Sequence, residues 1–146
     1  MRSHVLWLLR GVLLFWSLPL LLAADGQVLI VVSKVNRVAS LSRNEARQIF
    51  LNEKTTWPGG RHITVLMLAV GRPEREVILR ELYKMTEFDY SEYFLHAAFT
   101  GRIDAAPKDL PSAAQMKARL TANPNAIGFL RREDVDDTLK VLVSIP

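Results

Sequence analysis

Ile63 to Ala69 reads ITVLMLA and runs straight into VGRPER, Val70 to Arg75; the reading of this junction decides the fold. A continuous run of apolar, partly β-branched residues reads as a strand buried on both faces. Gly71-Arg72-Pro73 then breaks the chain, and Pro73 suits the first turn of a helix, where its missing N–H costs nothing. Ile78, Leu82 and Met85, with Leu79 alongside, keep the three-to-four spacing of a buried helical face to about Met85. Such a junction presents the free amides of a helix start to an anion at the carboxyl end of a sheet. Arg72 and Arg75 add charge-assisted contacts to an oxyanion, bidentate where the geometry permits. The alternative is that both arginines pair along the helix surface with Glu74 or Glu76.

Working outward, Gln27 to Ser33 (QVLIVVS) reads as another strand buried on both faces, followed by a loop from Lys34 to Leu41 that carries Asn36. Ser42-Arg43-Asn44-Glu45 has the Ser-x-x-Glu form of a capping box and opens a short helix, about Arg43 to Leu51, with Ala46, Ile49 and Phe50 on one face. Trp57-Pro58-Gly59-Gly60 is a turn. Beyond the junction, Asp89 is the expected N-cap of a third helix with the stripe Tyr90, Tyr93, Phe94, Ala97 and Ala98, stopping near Thr100-Gly101. Arg102 to Pro111 holds two prolines and little periodicity and reads as a loop. A helix from Ser112 to Leu120 precedes the turn Asn123-Pro124-Asn125, and Ala126 to Leu130 and Leu139 to Ile145 are the last strands. The order β, α, β, α, α, α, β, β predicts an α/β layer sandwich, a mixed and mostly parallel sheet with helices on both faces.

Met1 to Ala24 stands apart: Arg2 and Arg10 precede an apolar run from Gly11 to Ala24, and Leu22-Ala23-Ala24 sets a small residue before a cut at Asp25. This reads as a secretory signal peptide; the alternative, with Leu at the −3 position of the cut, is an uncleaved anchor, the one route to a membrane. The chain lacks Cys, so no lipid is attached after the leader, and a cysteine-free domain fits a periplasm. Removing residues 1–24 from the 146 leaves 122, one domain from 25 to 146. The leader takes two of the nineteen Lys and Arg with it, so the formal charge falls from +4 to +2. Basic residues are interspersed with acids, as at Arg72-Pro73-Glu74-Arg75-Glu76, and no basic run alternates with aromatics, so nucleic acid is not an expected partner.

Catalytic signals are absent from the pattern. His62 and His96 share no metal-ligand spacing, no Cys completes a zinc site, and no Gly-x-Ser-x-Gly elbow holds a nucleophile. Glu74, Glu76 and Glu81 lie early on a helix, where the dipole favours carboxylates. Neither an enzyme, a metal nor a cofactor is expected. Thr100-Gly101-Arg102 is a second polar cluster, with a plain helix stop as its alternative.

Four phrases in order carry a resemblance: Leu41-Ser42-Arg43-Asn44-Glu45 with Ile49-Phe50-Leu51, Trp57-Pro58-Gly59-Gly60, Phe99-Thr100-Gly101-Arg102, and Asn123-Pro124-Asn125-Ala126-Ile127-Gly128-Phe129. Together they resemble the periplasmic phosphate-binding proteins of ABC transporters, in particular short, single-lobe relatives, over about Val28 to Val143. The resemblance implies a type 2 periplasmic-binding-protein fold and an extracytoplasmic role in handling phosphate or a similar oxyanion, as an accessory to ABC-type transport or sensing. Where the full-length family carries a Ser-Gly-Thr grip, this chain has Gly71-Arg72-Pro73, which keeps a glycine and adds an arginine without the hydroxyls. The expected anion site is therefore the backbone at Gly71 and Arg72, with Arg75, Ser33 and Asn36 as second choices. The expected partners are phosphate or another oxyanion and an envelope transporter or other envelope protein. The competing expectation is an interaction module that keeps the fold and has lost the ligand.

Overall fold

Val28–Ser33 forms β1, all six residues buried. It is an interior strand of a five-stranded sheet of order β3-β2-β4-β1-β5, with β2 Thr64–Leu68, β3 Lys108–Leu110, β4 Ala126–Arg131 and β5 Leu139–Ile145. The computed structural model describes residues 26–146, so the expected leader, Met1 to Ala24, lies outside the described residues. Strand β2 pairs parallel with β3 and β4, whereas β1 pairs antiparallel with both β4 and β5. Four strands thus point one way, and β1 alone runs against them, giving the mixed sheet expected.

Alternation along β4 shows that both faces are covered. Phe129 packs on Phe50 of α1 (Arg43–Phe50), with ring centroids 6.3 Å apart. Its neighbour Gly128 necessarily faces the other way, against α4 (Ala113–Ala122), where a Cβ on Gly128 would stand 2.5 Å from the Met116 sulfur. Glycine at that position lets α4 lie close on the sheet. On the Phe129 side, Phe50, Tyr83, Tyr90 and Phe94 form an edge-on and tilted aromatic cluster that seats α1 and α3 (Glu87–Phe99).

Some local signals hold in detail and others do not. Ser42 and Glu45 make the reciprocal capping box at α1, the Glu45 amide donating to Ser42 Oγ at 3.1 Å and the Ser42 amide to the carboxylate at 2.8 Å. Helix α2 (Pro73–Ile78) continues into a π-helical turn, Leu79–Tyr83, and ends on Lys84 in the left-handed region at φ 58°, two residues from the expected stop. The N-cap of α3 is Thr86, not Asp89. Asp89 occupies the third helical position, and its carboxylate closes a second capping box back onto the Thr86 amide. The segment expected to be a loop, Arg102 to Pro111, contains β3, held by parallel pairing of Lys108–Leu110 with Leu66–Leu68. Among the described residues no helix is long and apolar enough to cross a membrane.

Candidate functional site

The reversed β1 places the five expected anion-site residues at two opposite ends of the sheet. Val32 of β1 sits beside Ile127 near the start of β4, so Ser33 and Asn36 lie at the amino ends of β2 and β4. There the Asn36 amide donates to the Pro124 carbonyl at 2.8 Å and its oxygen accepts from the Val38 amide at 2.9 Å. Ser33 is buried. Gly71, Arg72 and Arg75 follow the carboxyl end of β2. The structure brings these three together and leaves the other two a full strand length away.

At the carboxyl end, Gly71 takes φ 87°, a left-handed turn that suits glycine, and is exposed with open space around it. Arg72 is the N-cap of α2 in an extended conformation, and Pro73 opens the helix. Arg72 Nε faces Glu74 Oε2 at 3.5 Å, and Arg131, from the end of β4, brings its Nε to within 2.9 Å of Glu74 Oε1 as an ion pair. Glu74 is 3% exposed. Two guanidinium groups thus converge on one buried carboxylate at a helix start. Among the described residues the facing atoms Arg72 Nε and Glu74 Oε2 make no hydrogen bond, so that side of the pairing is Coulombic.

Arg75 is 2% exposed and serves a different purpose from the one expected on sequence. Its Nη1 donates to the Leu68 carbonyl at 2.8 Å and to Asp109 Oδ1 at 2.9 Å, while Nε donates to Glu87 Oε2 at 2.9 Å. Its guanidinium lies over the Tyr90 ring, 4.9 Å from the centroid. One side chain of α2 therefore fastens β2, β3 and α3. Burial alone would push its pKa down, but the bonds from Glu87 and then Asp109 outweigh that and hold it above the ordinary arginine value. With these donors engaged, Arg75 supports the junction and is not turned to a ligand. Its carboxylate partners are not the neighbouring Glu74 and Glu76 but Glu87 and Asp109, twelve and thirty-four residues along the chain.

Thr100-Gly101-Arg102 is a helix stop: Thr100 Oγ1 donates to the His96 carbonyl at 2.9 Å, Gly101 turns at φ 70°, and Arg102 lies over the Tyr93 ring. Arg131 is the residue that sequence reading missed; its position at the end of AIGFLR, in register with the start of β1, was the available signal. Among the described residues no cluster of three or more His, Cys, Asp or Glu is placed to hold a metal ion.

Three solved structures share this fold, a mixed sheet with α2 starting at the carboxyl end of β2 and helices on both faces. The chain matches an ABC-type phosphate transport receptor from Vibrio cholerae at 20% identity and a TM-score of 0.62, over 82% of this chain and 50% of that one. It matches a phosphate ABC transporter substrate-binding protein of Clostridium perfringens, solved with bound phosphate, at 17% identity and 0.64, over 79% of this chain and 43% of that one. The third is PstS from Borrelia burgdorferi, at 12% identity and 0.59, over 79% and 46%. The chain spans about half the length of the structures it matches. No family model matches it, and neither does any curated protein.

Proposed function

We propose that the chain is a non-enzymatic, binding-protein-like module for phosphate or a similar oxyanion, exported by its leader to the periplasm and accessory to ABC-type transport or sensing. The observation that carries this reading is the junction from β2 through Gly71 into α2, where Arg72 and Arg131 already hold a carboxylate, an oxyanion of the chain's own. The likeness of fold to phosphate receptors supports it. An incoming phosphate would take the place of the Glu74 carboxylate between the two guanidinium groups, using the exposed backbone at Gly71 and the free amides of the first helical turn. Because Glu74 competes for the same cations, affinity is expected to be low in the isolated chain and to rise when a partner draws the carboxylate away.

The test is the thermal midpoint of the full chain with millimolar phosphate, sulfate or chloride at matched ionic strength. A ligand at 100 times its dissociation constant stabilises by about 2.7 kcal/mol, a rise of roughly 10 °C for a domain of this size. Phosphate is expected to raise the midpoint, and Arg72→Ala to lower its affinity about tenfold or more, one charge-assisted contact's worth. An equal response to all three anions, or an unchanged affinity in Arg72→Ala, would reject the site.

A second reading, an envelope interaction module that has lost its ligand, is favoured by the outer face of α3. Phe88, Leu95 and Phe99 lie seven and four residues apart on one side of the helix and are all exposed, Phe99 at 90%. Under this reading the full chain is recovered with a larger envelope protein, and Phe99→Ser abolishes recovery while phosphate has no effect on stability.

A further inference from the structure

A cavity lies at the end of the sheet opposite Gly71. It holds about 440 Å³, within the size range of small-molecule sites, and is walled by three loops that meet beneath β2 and β4. These loops are tied to one another by part-buried polar bonds. The Trp57 indole N–H donates to the Asn125 carbonyl at 3.0 Å, and the Asn36 amide reaches the Pro124 carbonyl. The turn that follows Trp57 is closed by the Gly60 amide on the Trp57 carbonyl at 2.9 Å. Asn36 and Trp57 are both buried. The walls are therefore fixed before any ligand arrives, which lowers the entropic cost of binding.

The lining has two chemistries. Trp57, Pro58, Val38 and Pro124 supply apolar and planar surface, and Arg37 and Arg61 supply charge from separate loops. Neither guanidinium makes an ion pair or a hydrogen bond among the described residues, and no Asp or Glu lines the cavity. Elsewhere on the molecule Arg72, Arg75, Arg80 and Arg131 all have carboxylate partners. Two unspent forks above an apolar floor match a ligand that is flat and apolar at one end and a carboxylate at the other. We propose that this pocket binds a small organic carboxylate with a planar apolar body, the carboxylate held between Arg37 and Arg61 and the body against Trp57 and Pro58. This is a separate site from the oxyanion junction and stands without it.

The probes are phenylacetate, its neutral amide phenylacetamide, and inorganic phosphate, each titrated into the full chain while the Trp57 indole N–H and the Gly59 and Asn125 amides are followed by ¹⁵N NMR. Phenylacetate is expected to shift all three signals saturably, with phenylacetamide and phosphate each about tenfold weaker or more, since each lacks one half of the match. The double variant Arg37→Ala/Arg61→Ala is expected to keep the folded spectrum, both side chains being exposed, and to lose about tenfold or more in affinity. Equal binding of the amide would overturn the carboxylate assignment, and equal binding of phosphate would overturn the apolar half. Absence of shifts with phenylacetate, or binding that survives the double variant, would overturn the site. Phosphate binding at Gly71 leaves the Trp57 signals in place, so the two sites are read independently.

Discussion

The two ends of the sheet use arginine in opposite ways. At the carboxyl end every cation near the β2–α2 junction is matched by a carboxylate of the chain: Arg75 by Glu87 and Asp109, Arg72 and Arg131 by Glu74. At the amino end Arg37 and Arg61 flank an apolar cavity with no acid in its lining. The contrast separates charge that holds the fold together from charge left over for something else. Burial enforces it: a desolvated guanidinium is tolerated only with partners, whereas a solvated one needs none.

The largest effect is expected where the cation is deepest. Arg75→Ala removes four tethers at once and leaves the Leu68 carbonyl and two carboxylates without their donor. Breaking a buried ion pair costs about 3–5 kcal/mol; Glu87 and Asp109 keep 38% and 44% exposure and can rehydrate, so the lower figure, about 3 kcal/mol, is expected from urea denaturation. A loss below about 0.5 kcal/mol, the size of an ordinary surface change, would erase the distinction between the two ends.

Glu74→Gln sharpens the comparison instead. It keeps the shape but removes the charge that neutralises Arg72 and Arg131, so it is expected to cost about 1–3 kcal/mol in water as a buried group loses its partner. It should also make the carboxyl end resemble the other end, with cations unspent. Phosphate is then expected to raise the thermal midpoint of Glu74→Gln by more than it raises that of the parent chain. An equal increment in both would mean that Glu74 does not compete for the anion.

The aromatic cluster beside Arg75 gives the carboxyl end a pH dependence. Burial pushes the Tyr83 and Tyr90 hydroxyls well above the usual tyrosine range, with Arg75 partly opposing this at Tyr90. Both phenols therefore ionise later in the folded chain than in the unfolded one, whose tyrosines titrate near about 10. The unfolded state sheds its protons first, so the contribution is whole below about pH 10 and is lost above it, roughly 1 kcal/mol per tyrosine by about pH 11. The buried Tyr90 hydroxyl has no hydrogen-bond partner among the described residues. Tyr90→Phe is accordingly expected to leave neutral-pH stability equal or slightly higher and to flatten the alkaline limb, as read by chemical denaturation from pH 8 to 11. A variant as steep in alkali as the parent would place the titration elsewhere.

Much of the fold was legible in the sequence, whereas the division of the arginines depends on contacts that a linear reading does not contain. Four strands and both faces of helices follow from apolar runs and spacing, and Ser42 with Glu45 declared α1 completely. Strand β3 was invisible because Lys108-Asp109-Leu110 has one buried residue; its pairing with β2 and the Asp109 bond to Arg75 create it. The direction of β1 was invisible for another reason: a run buried on both faces reads the same either way. That single reversal is what sends Ser33 and Asn36 to the far end from Gly71. Thr86 lost the N-cap to Asp89 in the reading because both belong to one reciprocal pair three residues apart, and either looks like a cap.

The smallest expected effect is the one that makes the comparison quantitative. Arg37→Ala and Arg61→Ala, taken singly, remove side chains that are exposed and hold no partner among the described residues, so each is expected to change stability by less than about 0.5 kcal/mol in the same urea experiment. Set against the loss of about 3 kcal/mol for Arg75→Ala, the same chemical deletion would then differ several-fold according to which end of the sheet it strikes. A slight gain in stability at the amino end is within this expectation, because Arg37, Arg61 and Lys140 are like charges gathered there without a carboxylate in the cavity wall, and relieving their repulsion favours the fold. A loss as large as that of Arg75→Ala would mean instead that these two arginines hold their loops in place and are not held in reserve for a ligand.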